Sequence, residues 1–168
     1  MADETQPGES GEEAAPGGQQ VTLNVLAQYI KDLSFESPNA PKSLQPDKNQ
    51  QPRLEVSVNV QASGSGEDLY EVVLSLEARA QTDEAIVYNI ELLYGGMFRI
   101  KGAGQEILQP ILFIDCPAIL FPFARRVMAD TSRDGGFPPL LLDPIDFRTL
   151  YRRNLENAQK EAGGSQKN

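Results

Sequence analysis

Cys116 is the one thiol in this chain, and it stands immediately before Pro117. At a helix N-terminus a thiol gains thiolate character. Its flanks, Ile114, Ile119 and Leu120, read instead as core, where a free cysteine behaves as a small hydrophobe. The sequence holds no histidine, so the usual general base and the usual activator of a nucleophile are missing. An intramolecular disulfide and a Cys/His zinc site within one chain are excluded as well. A carboxylate pair is the remaining route to acid–base chemistry. Asp32 and Glu36 project from the same side of one predicted strand. Residues four apart in a strand are separated by about 13 Å, beyond the roughly 5–9.5 Å of a two-carboxylate glycosidase. A charged patch is the better reading. Gly102-Ala103-Gly104 lacks the Lys-Ser/Thr of a phosphate loop and the full dinucleotide fingerprint, and reads as turn. Arg125-Arg126 and Arg152-Arg153 suit a solvated helix face or an ion pair between subunits. No catalytic residue, metal site or cofactor is expected.

Charge narrows the partners. The 168 residues carry a formal charge of −9. Asp3, Glu4, Glu9, Glu12 and Glu13 place five negative charges in residues 1–20, with no Lys or Arg there, which leaves −4 for 21–155. Such a chain repels nucleic-acid phosphates and anionic lipid headgroups, so a basic protein partner fits better. The same charge also serves solubility. The first residues lack the basic and apolar regions of a signal peptide. No apolar run is read as approaching the roughly 20 residues of a membrane span, so a cytoplasmic protein is expected.

The elements that must position these groups follow from hydrophobic period. Residues 1–20, rich in Gly, Pro, Glu and Gln, are expected to be a disordered acidic arm. Residues 21–162 form one folded domain and 163–168 a loose tail. A first strand covers 21–36, with Tyr29, Lys31, Leu33 and Phe35 on one side and Ile30, Asp32, Ser34 and Glu36 on the other. Prolines at 38, 41, 46 and 52 predict a long irregular connection over 37–52. Leu54, Val56, Val58 and Val60 alternate with polar residues in a second strand, and a turn is expected at 63–66. Tyr70, Val72, Leu74, Leu76 and Ala78 line a third strand. Ile86, Tyr88, Ile90, Leu92 and Tyr94 line a fourth, which Gly95-Gly96 should end or bend. A short helix over 105–114 and a helix from Pro117 to Asp130, kinked at Pro122, come next. The last helix is predicted over 144–162, with Asp143 as N-cap and Ile145, Phe147, Leu150, Tyr151 and Leu155 as its apolar stripe. Strands first and helices after predict an α+β domain: an antiparallel sheet with helices on one face and a solvated, acidic face opposite.

Five stretches resemble the SecB family of bacterial export chaperones: Tyr29-Ile-Lys-Asp-Leu-Ser-Phe-Glu-Ser-Pro-Asn-Ala-Pro41, Tyr70-Glu-Val-Val-Leu74, Gly95-Gly-Met-Phe98, Cys116-Pro-Ala-Ile-Leu-Phe-Pro-Phe-Ala-Arg125 and Gly136-Phe-Pro-Pro-Leu140. The resemblance spans about residues 21–160. It implies a four-stranded antiparallel sheet, Greek-key-like, with two main helices on one face, assembled as a homotetramer built as a dimer of dimers. First strands pair within a dimer and helices are sandwiched between dimers. Positions matching the family's oligomer contacts are Ile90, Leu92, Tyr94, Cys116 and Phe123. The implied function is that of a holdase, with no enzymatic activity and no cofactor. It binds unfolded secretory preproteins in apolar grooves and delivers them to the SecA translocation motor. The matching client-groove positions are Leu44, Leu54, Val56, Val58, Phe147, Leu150 and Tyr151. Those matching the motor-binding face are Asp32, Glu36, Asn89 and Glu91. Asn89 stands where the family usually has leucine, and residues 156–168 are neutral where an acidic tail would aid docking. The alternative is a SecB-like chaperone specialised for a narrow client, such as a toxin–antitoxin pair; intact Asp32, Glu36 and Glu91 argue against it.

Overall fold

A computed structural model of the protein describes residues 20–45 and 51–164. Four long strands come first: β1 (Thr22–Glu36), β2 (Arg53–Gly66), β3 (Leu69–Gln81) and β4 (Ile86–Lys101). They form one antiparallel sheet in the order β1-β4-β3-β2, a Greek key with β1 returning beside β4. A helical run then goes from α1 (Gln105–Pro110) through a wide turn at Ile111–Asp115 into α2 (Cys116–Asp134). The helix α3 (Phe147–Gly164) closes the fold. The α+β reading and the four strands agree with the sequence. The expectation of an acidic arm over 1–20 falls almost wholly outside the described residues, as do 165–168; Gly163 and Gly164 belong to α3 rather than to a tail.

Cross-strand partners share a face, so the register assigns sides. Val72, Leu74, Leu76 and Ala78 of β3 and Ile90, Leu92 and Phe98 of β4 are fully buried on the inner face. Leu120, Ala124 and Met128 of α2 close over them. The predicted alternation of β1 holds only in part. The register shifts between Val25 and Ala27 and again between Ile30 and Asp32. Leu33 and Phe35 pair with Leu92 and Ile90 on the inner face, whereas Tyr29 pairs with Gly95 on the outer one. An extra residue at Lys31 therefore puts Tyr29 and Leu33 on opposite sides, which a strict period of two cannot anticipate.

Three further boundaries differ. Ser63–Gly66 does not turn; β2 continues to Gly66 and the reversal falls on Glu67-Asp68, with Asp68 left-handed at φ 56°. Gly95-Gly96 does not end β4 but lets two side chains approach its backbone. A Cβ on Gly95 would lie 2.7 Å from the Tyr29 ring, and one on Gly96 2.7 Å from Leu120 Cδ2 and from the Phe98 ring. The two predicted helices over 105–130 are one run. At the wide turn Cys116 N–H reaches back five residues to Ile111 O, just where Pro117 has no N–H to offer. That run is long and apolar enough to cross a membrane by length and composition, contrary to the expectation. Its inner residues Cys116, Leu120, Ala124 and Met128 are fully buried, as in a core helix.

The end of α2 is well defined. Gly136, at φ 90°, donates to Arg133 O while Phe137 N–H donates to Ser132 O, a Schellman closure. The buried Ser132 hydroxyl donates to Ala129 O and accepts Leu140 N–H at 2.8 Å, which ties the following extended segment to α2. The helix α3 is capped by Asp146, not Asp143. Asp146 Oδ1 accepts Arg148 and Thr149 N–H at 3.0 and 3.1 Å, and Oδ2 accepts the Thr149 hydroxyl at 2.8 Å.

The Gly96 contact yields a stability prediction. Gly96→Ala forces a methyl onto two fully buried side chains and should destabilise by about 1–3 kcal/mol. Gly64→Ala meets nothing within 4 Å and should stay within about 0.5 kcal/mol of the parent. Urea unfolding midpoints at one fixed protein concentration check both.

Candidate functional site: an apolar groove and an acidic sheet face

The inner face of β2 is only partly roofed. Leu54 and Val56 remain 46 % and 42 % exposed, and Val58 is half-buried, although all three pair with inner-face residues of β3. Beside them lies α3. Between the two runs a cavity of about 390 Å³ lined by Val56, Ser57, Val58, Ile145, Asp146, Thr149, Leu150 and Arg153. A second, of about 190 Å³, is lined by Val60, Gln109, Phe113, Leu150, Tyr151, Asn154 and Leu155. Leu150 belongs to both, so the two are successive parts of one groove. The Tyr151 ring stacks on Phe113 with centroids 5.8 Å apart, fixing the groove wall.

Of the predicted groove residues, the structure brings together Val56, Val58, Leu150 and Tyr151. Leu54 continues the same exposed strand face. Two predicted members are elsewhere. Phe147 is buried and meets the Phe121 ring edge-on at 6.0 Å, so it anchors α3 to α2. Leu44 sits in the connection after β1, where its Cδ2 would be 3.0 Å from a Cβ on Gly136. It borders a separate aromatic group in which Tyr88 and Phe137 are 4.9 Å apart and Phe35 6.1 Å from Tyr88. Sequence reasoning missed Phe113 and Gln109, because the wide turn resets helical phase between α1 and α2. Arg153 and Thr149 were also missed, since they follow the polar side of the α3 pattern.

The outer face carries the charges. Asp32, Glu36 and Glu91 are exposed there, and Glu36 faces Asn89 across the β1/β4 register. Asn89 Nδ2 donates to Glu91 Oε1 at 3.1 Å. The register adds residues from other strands. Glu77 lies directly opposite Glu91, and with Glu55, Arg79 and Asn89 they line a depression of about 400 Å³. Towards the middle of the sheet the charge is internally answered. Lys31 Nζ bridges both Glu71 oxygens at 2.8 and 2.9 Å, and the Tyr29 hydroxyl donates to the same carboxylate. Glu71 is thereby held below the usual carboxylate range, chiefly by Lys31, and Tyr29 is pushed up to about 12, chiefly by desolvation and then by Glu71.

Of the five positions that match the family's oligomer contacts, Ile90, Leu92, Tyr94 and Cys116 are buried in the chain's own core and Phe123 is exposed. Exposed apolar groups also line β1, at Val25, Leu26, Ile30 and Leu33, and the outer edge of that strand is unpaired among the described residues. Among the described residues no group of three His, Cys, Asp or Glu is placed to hold a metal.

An open groove with apolar side chains on one side of a sheet and a charged face on the other suit a protein that binds polypeptide. The chain belongs to the SecB family: residues 17–158 match the family model described as preprotein translocase subunit SecB. The protein-export protein SecB of Rhodopseudomonas palustris (strain TIE-1) is 52 % identical over 90 % of this chain and 96 % of its own length. That of Maricaulis maris is 51 % identical over 87 % and 84 %. Among solved structures, a Mycobacterium tuberculosis SecB-like chaperone in complex with an antitoxin peptide shares the fold, with TM-score 0.57 and 19 % identity over 73 % of this chain and 90 % of that one.

Burial of Cys116 bears on reactivity. Desolvation first, and the neighbouring Asp115 second, push its thiol up to about 12. A polar disulfide reagent at pH 8 should leave Cys116 unmodified in the folded protein and label it fully in denaturant; rapid labelling of the native chain would contradict its placement.

Proposed function

We propose that this protein is a holdase for secretory preproteins, taking unfolded segments into the groove between β2 and α3 and passing them to the SecA motor. The observation that carries the reading is the groove itself: Val56, Val58, Leu150 and Tyr151 converge on open space beside a strand edge that is unpaired among the described residues. A folded client has no extended apolar stretch to offer such a surface; an unfolded one has many. Each client side chain buried is worth about 1.5–3 kcal/mol before ordering costs. The free edge of β2 can also accept the client backbone as an added strand.

One groove therefore holds weakly, and the assembly makes it strong. The proposal includes a homotetramer in the cytoplasm, two chains joined along β1 and two such dimers joined through their helices. Several grooves then engage one long client by avidity. Exposed Val25, Leu26 and Ile30 beside the β1 edge, and Phe123 on α2, support these contacts. Nothing in the cycle calls for a nucleotide on this chain. Delivery uses the opposite face, where Asp32, Glu36 and Glu91 attract a basic segment of the motor and Asn89 supplies a polar contact. Separation of the two faces lets client and motor bind together.

Val56→Asp should abolish the block on refolding of a slow-folding preprotein diluted from denaturant, with the melting temperature of the protein nearly unchanged because Val56 is a surface residue. Unimpaired holding by this variant contradicts the groove. Asp32→Lys with Glu36→Lys should remove motor binding, measured by calorimetry, while refolding of the client stays blocked; motor affinity equal to the parent's counts against the acidic face.

A further inference from the structure

Asp32 and Glu36 face outward because β1 carries one extra residue. Tyr29 pairs with Gly95 and Ile30 with Tyr94, but Asp32 pairs with Leu93, so Lys31 has no residue opposite it. In an unbroken register Lys31 would stand opposite Leu93. Asp32 would then face Leu92 and Glu36 would face Tyr88, both on the inner side of the sheet. The bulge at Lys31 therefore re-aims every side chain after it, the two docking carboxylates included. Packing of Phe35 against the core fixes the side of the residues beyond the bulge. It does not fix the residue at which the extra one is inserted. That place is held from the outer face. Lys31 Nζ reaches both Glu71 oxygens at 2.8 and 2.9 Å, and the Tyr29 hydroxyl donates to the same carboxylate. Glu71 belongs to β3, opposite Met97, with the whole of β4 between it and β1. The bare Gly95 lets the Tyr29 ring lie across β4. Among the described residues Asp32 and Glu36 form no ion pair of their own, so the backbone sets where their charges stand.

We propose that Glu71 is a positioning residue for the motor-docking face: by gripping Lys31 and Tyr29 across β4 it pins the bulge of β1 at Lys31 and so holds Asp32 and Glu36 in the place where the motor meets them. The inference rests on the reading of the outer face as the motor's docking surface and adds to it a residue that acts through the backbone. Lys31 takes part as the bulge residue itself. Its positive charge opposes a basic partner, yet its loss weakens docking, because the bulge loosens and the two carboxylates lose their common aim. Client holding does not depend on this clamp, since the groove lies on the other side of the sheet at β2 and α3.

The test uses variants for which charge and positioning predict opposite signs. Lys31→Met and Lys31→Glu both make the outer face more negative, so charge alone would tighten binding of the SecA motor. Positioning predicts weaker binding by calorimetry, about two- to tenfold, with the block on client refolding unchanged. The double reversal Lys31→Glu with Glu71→Lys keeps the ion pair and the net charge, and should bind the motor more tightly than Lys31→Glu alone. Backbone amide NMR of Lys31→Met should show shifts at Asp32 to Glu36 and at the facing residues of β4, and none at Val56 or Leu150. Tighter motor binding by either Lys31 variant would overturn the proposal. So would weaker binding with the Asp32 to Glu36 amides unmoved, since Lys31 would then touch the motor directly. Loss of client holding in the same variants would also overturn it, because the clamp would then support the whole fold. The Asp32→Lys with Glu36→Lys protein separates the two levels. If it loses the motor while the Lys31 variants bind as the parent does, the clamp fails and the docking face stands. If it too binds the motor as the parent does, the docking face fails and the clamp's role with it.

Discussion

The inner face of the sheet is wider than the helix laid across it. Four strands spaced about 4.8 Å apart span roughly 15 Å, and one helix with its side chains is about 10 Å across. Helix α2 covers the two central strands so well that Leu74, Leu76, Ile90, Leu92 and Phe98 are almost wholly dry. It cannot also cover the edges. Val25, Ile30 and Leu33 stay exposed on β1, and Leu54 and Val56 on β2. Only β2 gains a second helix, and α3 reaches it incompletely. The groove is what remains where that cover runs out.

This arrangement gives the protein a stiff centre and two unfinished margins. The centre is set by tight approaches that tolerate nothing larger than glycine: Leu120 and Phe98 on Gly96 from within, and the Tyr29 ring on Gly95 from without. Tyr29 in turn is held by Glu71, which Lys31 also grips. The sheet thus acts as a common plate. Apolar binding occupies one side and charged docking the other, and neither needs the other to move.

Much of this was legible in the chain because period two survives in β2, β3 and β4, where apolar and polar side chains alternate between the two faces of the sheet. The groove's Val56 and Val58 and the outer Asn89 and Glu91 follow from that alternation directly. The failures share a physical cause: local patterns do not record where a backbone is interrupted or what lies across from it. The bulge at Lys31 reversed the side of Tyr29. The wide turn before Cys116 hid Phe113. Phe147 sits on the apolar stripe of α3, yet the stripe is broader than the groove, and the Phe121 ring claims that residue for the core. Asp143 and Asp146 are equally good caps by composition; only the hydrogen bonds of Asp146 distinguish them. Like-charged Glu77 and Glu91 meet only through the register.

The central claim is that unfolded chain is held at the β2–α3 margin and not at another exposed apolar surface. Methyl NMR of the full-length protein, titrated with a preprotein kept unfolded, tests it directly. The account predicts large perturbations of the Val56, Val58, Leu150 and Leu155 methyls and small ones of the enclosed Leu76, Ile90 and Leu92. Perturbations confined to Leu44 beside the aromatic group of Phe35, Tyr88 and Phe137, or to the outer sheet face, would contradict it.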